Sequence, residues 1–467
     1  MKKLLQVTAM ITASASILCG CQMLLEENQP SPADFSVRER TSSGTESTAD
    51  ERVSEITESH QPESEGETES SVMASSDVGS SAAESSASVV ESSQESSDEE
   101  VPDEVLYPAY HIDPDVIYDF DSKYFVKNLS LRSLSHFAEL YRAARRCQSD
   151  VYFKNAISSD ELDMLMFLLN YECPELIHLM GEYQPSYVGD DCSMVNGVAF
   201  TYSMGREEYE AHLQELEKIF DELKQTLADA SDFEKEQYIY NMIFDKCVYN
   251  ESDLYAGSVY GVLVNGHGRC EGICKSFMWC MRELGCWCVC ISGIPNWTDE
   301  AMYALHSWNV VKIGEDYYHV DLTVDNVKPD DYTVYPPCYG FFNVDEKTIL
   351  SSRTISDFYR DLGLPECNSM ELNYHVMNHL IVPGDTDAKQ AFIDLLDQYM
   401  TEDGIESLSI QFETAKAYDE ISDSINDILD DYAQAREGAG YSYEKYGNSL
   451  SQTIVLSVYP ESEEEEE

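Results

Sequence analysis

Three residues could together attack an acyl carbon. Cys270 stands in Gly268-Arg-Cys-Glu-Gly272, His306 opens His306-Ser-Trp-Asn309, and Asp321 lies in His319-Val-Asp-Leu-Thr323. The chemistry would be a thiolate nucleophile, an imidazole that takes and returns its proton, and a carboxylate that orients the imidazole. Cys270 follows a glycine-marked loop, Gly266-His267-Gly268, and opens a segment with an apolar stripe at Ile273, Phe277, Met278, Met281 and Leu284. This spacing predicts a helix over 270–284, stopped by Gly285. A cysteine at a helix start has its thiolate favoured by unpaired N–H groups and by the helix dipole, against an ordinary thiol pKa of about 8.5. Arg269 adds positive charge beside it. The Cys270 N–H could serve one side of an oxyanion hole, with Tyr260 and Asn265 as candidates for the other.

The other two residues follow from a hairpin. Segments 306–313 and 317–324 alternate as strands around Gly314 and Glu315, with His306 eight residues before Gly314 and Asp321 seven after it. Antiparallel pairing then puts the two side chains opposite or one step diagonal, about 4.5–8 Å apart at their Cβ atoms. That is close enough for the carboxylate to fix one imidazole nitrogen and leave the other for the thiol. His267, His319 and His375 are alternative bases that read more simply as loop or packing residues. A metal site finds little support. Cys286, Cys288 and Cys290 point in a row to one face of a strand and cannot converge on an ion, and the chain has no Cys-x-x-Cys pair. No cofactor is expected.

These stretches resemble the bacterial transglutaminase-like superfamily. Its pattern is a Gly-x-Cys-x-Gly helix start, then His-Ala-Trp-Asn, then Val-Asp-Pro-Thr-Trp-Asp. Here they stand as 268–272, 306–309 and Val320-Asp-Leu-Thr-Val-Asp325. Tyr260-Gly-Val-Leu-Val-Asn265 and Tyr339-Gly-Phe-Phe-Asn343 are similar too, so the likeness covers about 233–350. Ile273 and Cys274 replace the usual Tyr-Ala, and Leu322 and Val324 replace Pro and Trp, but no triad member is lost. The resemblance implies a papain-like core with Cys270 as nucleophile, His306 as base and acid, and Asp321 as orienter.

The elements around this core read as mixed α and β, so the expected class is α+β. Helices are predicted over 160–170, 207–230 and 233–248, with Ser231 and Glu234 as a capping box, and strands over 195–202 and 287–292. Beyond 370 the pattern predicts strands at 374–382, 407–412 and 453–459 and helices at 387–399 and 418–435. The organisation expected is a signal peptide over 1–20, a disordered tether over 21–105, an N-terminal α+β unit over 106–230, the catalytic core over 231–369, and a C-terminal α+β unit with an acidic tail over 370–467.

The leader has Lys2 and Lys3, an apolar run to Leu18, and then Cys19-Gly-Cys21. It is short for a membrane span and resembles a bacterial lipobox, which implies cleavage after Gly20 and lipid on Cys21. The following Ser- and Glu-rich stretch cannot bury enough apolar surface to offset chain entropy. The protein is therefore expected on the outer face of the cell membrane, held by lipid. With 88 acidic and 29 basic residues the net charge is −59, which argues against nucleic acid as a partner. Fourteen cysteines, many within apolar patterns, suit buried thiols more than a disulfide scaffold. For an exported chain this implies a low-oxygen habitat. The expected substrate is a peptide or protein amide opened through a thioester, with hydrolysis the first reading. Amine transfer and a non-catalytic surface-binding module are the alternatives.

Overall fold

A computed structural model describes residues 120, 122–189, 191–297, 305–326, 337–384, 387–435 and 441–460. The leader, Cys21, the Ser/Glu-rich stretch and the acidic tail lie outside the described residues. Among those described, no helix is long and apolar enough to cross a membrane.

The first layer is built from capped helices and a small sheet. Ser130 accepts the Ser133 N–H to start α1 (Leu131–Arg145), and β1 (Asp150–Ser158) follows. Ser158 then accepts the Glu161 N–H to start α2 (Ser159–Glu172). Such caps satisfy helix-start donors that otherwise lack partners. β2 (Leu179–Val188) and β3 (Met194–Tyr202) complete an antiparallel sheet of order β1-β3-β2. α3 (Arg206–Thr226) buries Tyr209, Leu216, Phe220 and Leu223 but ends four residues before Ala230, its expected last residue.

The core opens with α4 (Asp232–Lys246), which carries the predicted capping box. Its expected last residue, Val248, instead joins a strand. β4 (Val248–Tyr249) runs parallel to β5 (His267–Gly268), and a π-helical turn, Gly261–Asn265, precedes β5. α5 (Cys270–Glu283) follows, and Gly285 takes a φ of +79° just past its end. β6 (Cys288–Gly293), β7 (His306–Ile313) and β8 (Asp316–Val320) form an antiparallel sheet against which α5 packs. The predicted strand over 317–324 is corrected here. β8 stops at Val320 because the Asp321 carboxylate accepts the N–H groups of Thr323 and Val324 and starts a short helix, α6 (Leu322–Asp325). Capping by Asp outweighs the strand preference of Val324.

The C-terminal part departs from expectation in the same way. The predicted strand over 374–382 is a helical turn followed by two residues of strand. Asn373 accepts the N–H groups of His375 and Val376 and caps α7 (Tyr374–Met377), and β9 (Ile381–Val382) follows. α8 (Ala388–Tyr399), β10 (Ile405–Phe412), α9 (Ala415–Gln434), β11 (Tyr441–Asn448) and β12 (Thr453–Pro460) complete a sheet of order β11-β12-β10-β9 with two helices. Its apolar cluster, including Phe392, Leu396, Ile410, Ile421 and Leu456, is separate from the main one. The main cluster runs without a break from α1 and α2 (Leu140, Leu168) through α5 and β7 (Phe277, Val310).

Candidate active site

Cys270 is the first residue of α5 and is only 2 % exposed. Arg269 occupies the cap position without a side-chain cap bond. Its guanidinium grips Glu271 instead, with Nη2 2.7 Å from Oε2, so the positive charge expected beside the thiol is largely offset. Two residues on, Gly272 lets the helix start approach the 256–258 loop. A Cβ built at this glycine would stand 2.1 Å from the Ala256 carbonyl oxygen. No side chain fits there without moving backbone.

His306 and Asp321 meet diagonally. The β7–β8 register pairs Asn309 with Val320, so Asp321 falls across from Trp308, two positions from His306. The turn into α6 aims its carboxylate at the imidazole, and Asp321 Oδ2 lies 2.7 Å from His306 Nε2. The imidazole is also hydrogen-bonded to the Cys270 side chain. With Nε2 taken by Asp321, that bond uses Nδ1, and the three residues form one chain of contacts. Burial works against an imidazolium at His306, but Asp321 and the bonds to Asp321 and Cys270 outweigh it and raise its pKa to about 9. Burial likewise resists ionisation of Asp321, which is 0 % exposed, yet His306 and Arg353 hold its carboxyl well below the usual range.

Arg353 completes the buried set. Its Nη1 donates to the same Asp321 Oδ2 that faces His306, and its guanidinium lies about 5 Å from the ring centres of Trp297, Trp308 and Phe341. Trp297 meets His306 edge-on, with ring centres 5.3 Å apart, and Trp308 stacks at 6.1 Å. Trp297 and Trp308 thus border both His306 and Arg353. Sequence reasoning missed Arg353, which sits 32 residues beyond Asp321 in a stretch without a motif.

The model of the transglutaminase-like superfamily matches residues 221–322, a span that holds Cys270, His306 and Asp321 together. The central region is a transglutaminase-like domain. No curated protein sequence matches the chain. A solved structure titled "Crystal structure of a TGase" aligns at 13 % identity over 40 % of this chain and 54 % of that one, with a TM-score of 0.22, too slight a likeness to weigh on the fold. This chain thus spans about half of that structure's length.

Other motif residues of the transglutaminase-like domain act as braces. Asn309 Nδ2 donates to the Cys274 and Val289 carbonyls, at 3.0 and 3.2 Å, and ties α5 to β6 and β7. Asp325 accepts from the Tyr240 hydroxyl at 2.5 Å, the Cys338 thiol at 2.8 Å and the Phe341 N–H at 3.0 Å. Burial lifts its pKa to about 6 despite those donors. Of the alternative bases, His267 faces Asp253 at 3.6 Å, and His375 is buried with Nε2 2.8 Å from Ser409 Oγ. Of the oxyanion candidates, Tyr260 donates to Glu215 at 2.8 Å and Asn265 is exposed.

His319, Glu346 and Cys367 bring three possible metal-ligating atoms within 4.8 Å of one another, a cluster unforeseen from sequence. The donor set would suit zinc. The hydrogen bonding of the imidazole does not. Trp308 Nε1–H, which can only donate, points at His319 Nδ1 from 3.1 Å. Nδ1 must therefore accept, and Nε2, the nitrogen facing Glu346 at 3.8 Å, carries the proton. A metal-bound histidine needs the reverse, a lone pair towards the metal and an N–H behind it. Burial, with Arg353 and Arg360 nearby, lowers the His319 pKa to about 3, consistent with this neutral form.

Proposed function

We propose that this protein is a cysteine-nucleophile enzyme that opens peptide or protein amides through a thioester on Cys270, with water as the acceptor. The observation that carries the reading is the placement of one imidazole between a helix-start thiol and a buried carboxylate. In the proposed cycle the proton of Cys270 rests on His306, and Asp321 steadies the imidazolium. The sulfur attacks the carbonyl carbon, and the tetrahedral oxyanion forms near the positive end of α5. His306 then gives its proton to the departing amine as the C–N bond breaks, which leaves a thioester and a neutral imidazole. That imidazole takes a proton from water as the oxygen attacks the thioester. The proton returns to sulfur or stays on His306, and the acid is released.

Water needs no binding site of its own, which is why hydrolysis is the proposed outcome. The test is to incubate the protein with a peptide library, with and without a labelled primary amine, and to follow the Cys270 peptide by mass spectrometry. A Cys270 thioester with shortened or deamidated peptides is expected. Incorporation of the amine at the expense of hydrolysis would replace the proposed acceptor. No adduct and no turnover in either arm would favour a binding module. We further propose that the protein works at the outer membrane face, held by lipid on Cys21, on the support of the Leu18-Cys-Gly-Cys21 leader.

A further inference from the structure

We propose that Asn170 and Tyr171 are positioning residues, consecutive side chains at the end of α2 that hold the residue after Cys270 and the residue after His306. Asn170 Nδ2 donates to Glu271 Oε1 at 2.8 Å, and Tyr171 Oη lies 2.8 Å from Ser307 Oγ. Both bonds are buried, and neither residue belongs to the matched span, which begins at residue 221. One turn of one helix thus touches the start of α5 and the start of β7, the two elements whose relative placement sets the thiol-to-imidazole distance.

The grip is reinforced on each side. Lys275 Nζ closes a ring with Asn170 Oδ1 at 3.1 Å and Glu271 Oε1 at 2.8 Å. Glu271 also holds Arg269, so the residues on both sides of Cys270 share the network that Asn170 enters. Glu172 takes Arg282 Nη2 at 3.1 Å near the other end of α5, so the helix is fixed against α2 at both ends. Tyr171 is itself braced by Phe167, stacked at 4.5 Å between ring centres. Buried hydrogen bonds of this kind fix geometry because their loss leaves polar groups without partners. A reaction between two aligned groups is sensitive to shifts of about 1 Å, so a clamp that references both to one body has a direct effect on rate.

This inference rests on the role proposed for Cys270 and His306, and its test separates the two. The rate at which iodoacetamide alkylates Cys270 in the full chain is measured from pH 5 to 10, alongside the melting temperature. The variants are Tyr171→Phe, Ser307→Ala, the double variant and Asn170→Ala. Tyr171→Phe and Ser307→Ala should each slow alkylation at neutral pH by roughly 5-fold or more and move the upper inflection of the pH profile. The double variant should be no worse than either single one, because the two share one bond. Asn170→Ala should move the same inflection from the α5 side. A lower melting temperature with an unmoved pH profile would reduce both residues to packing and overturn the proposal, as would additive effects in the double variant. Slow, featureless labelling of Cys270 in the unaltered protein would overturn this inference together with the proposed mechanism.

Discussion

Replacing Gly272 by alanine sets two opposing effects against each other at the helix that carries the nucleophile. In a helix interior alanine is favoured over glycine by about 0.8–1 kcal/mol, so with open space the variant would be more stable. Space is absent. The new Cβ would stand 2.1 Å from the Ala256 carbonyl oxygen and 3.2 Å from that of Ser258. A tolerable contact begins near 3.0 Å, so helix and loop must part by about 1 Å, and neither oxygen belongs to a side chain that can swing away. The Ala256 carbonyl also accepts the Arg269 N–H at 3.0 Å, which ties that loop to the residue before Cys270. Overpacking of this kind costs about 1–3 kcal/mol, so the clash outweighs the helix preference. A shift of about 1 Å between reacting groups can cost about 100-fold in rate. We expect Gly272→Ala to fold with a lowered melting temperature and to slow Cys270 alkylation at neutral pH by roughly 10- to 100-fold. The assay is the second-order rate of iodoacetamide labelling, read on the Cys270 peptide, beside a thermal melt. A variant that melts higher and labels at the unaltered rate would refute the argument.

The other predictions follow from the buried charges. His306 binds its proton more tightly folded than unfolded, so its stabilising effect is complete below its ordinary pKa near 6.5 and is lost as pH rises through about 9. Cys270 alkylation should therefore show an inflection near pH 9 that disappears in His306→Ala, and an unchanged profile would remove His306 from the proposed mechanism. Asp321→Asn should slow alkylation and lower that inflection, because the imidazolium loses its counter-charge; a profile like the unaltered protein's would argue against the orienting role. Arg353→Met leaves the buried Asp321 with one partner fewer and should cost about 3–5 kcal/mol, measured by urea unfolding; a loss under about 1 kcal/mol would contradict the arrangement. Burial raises the fully buried Glu236 to about 8, so the folded state holds a proton that the unfolded state has released, and stability falls as pH climbs from about 4.5 to 8. Glu236→Gln should remove that slope and stabilise the protein by on the order of 3 kcal/mol at pH 7; an unchanged pH dependence would show that Glu236 does not carry it.

The core was legible where one local signal decides the structure. The Ser231 and Glu234 box and the glycine behind α5 each name their own element, and β7 began and ended where alternation placed it. Reading failed where a side-chain cap competes with strand propensity. Asp321 and Asn373 both turn the chain into short helices within segments whose residues favour strands. The first failure helped the site, since the cap at Asp321 turns a diagonal neighbour into a bonded partner of His306. β11 was missed because Tyr441–Asn448 mixes its tyrosines with Glu444, Lys445, Gly447 and Asn448, residues that disfavour strands, and takes strand form through its hairpin pairing with β12. Arg353, Asn170 and Tyr171 were missed for a different reason. Each acts across 32 or more residues of sequence, and an isolated Arg, Asn or Tyr carries no spacing to read.

The sharing of one Asp321 oxygen between Arg353 and His306 has an electrostatic consequence. In the resting form proposed here the buried groups are a thiolate, an imidazolium, a carboxylate and a guanidinium, which sum to zero. After acylation the sulfur is uncharged and the imidazole has lost its proton with the amine, and the sum is still zero. Without the guanidinium the interior would carry an uncompensated negative charge at both stages, at the cost that low dielectric surroundings impose. The reaction thus moves charge within an electroneutral quartet, and the interior never has to solvate a net ion as the bond changes hands.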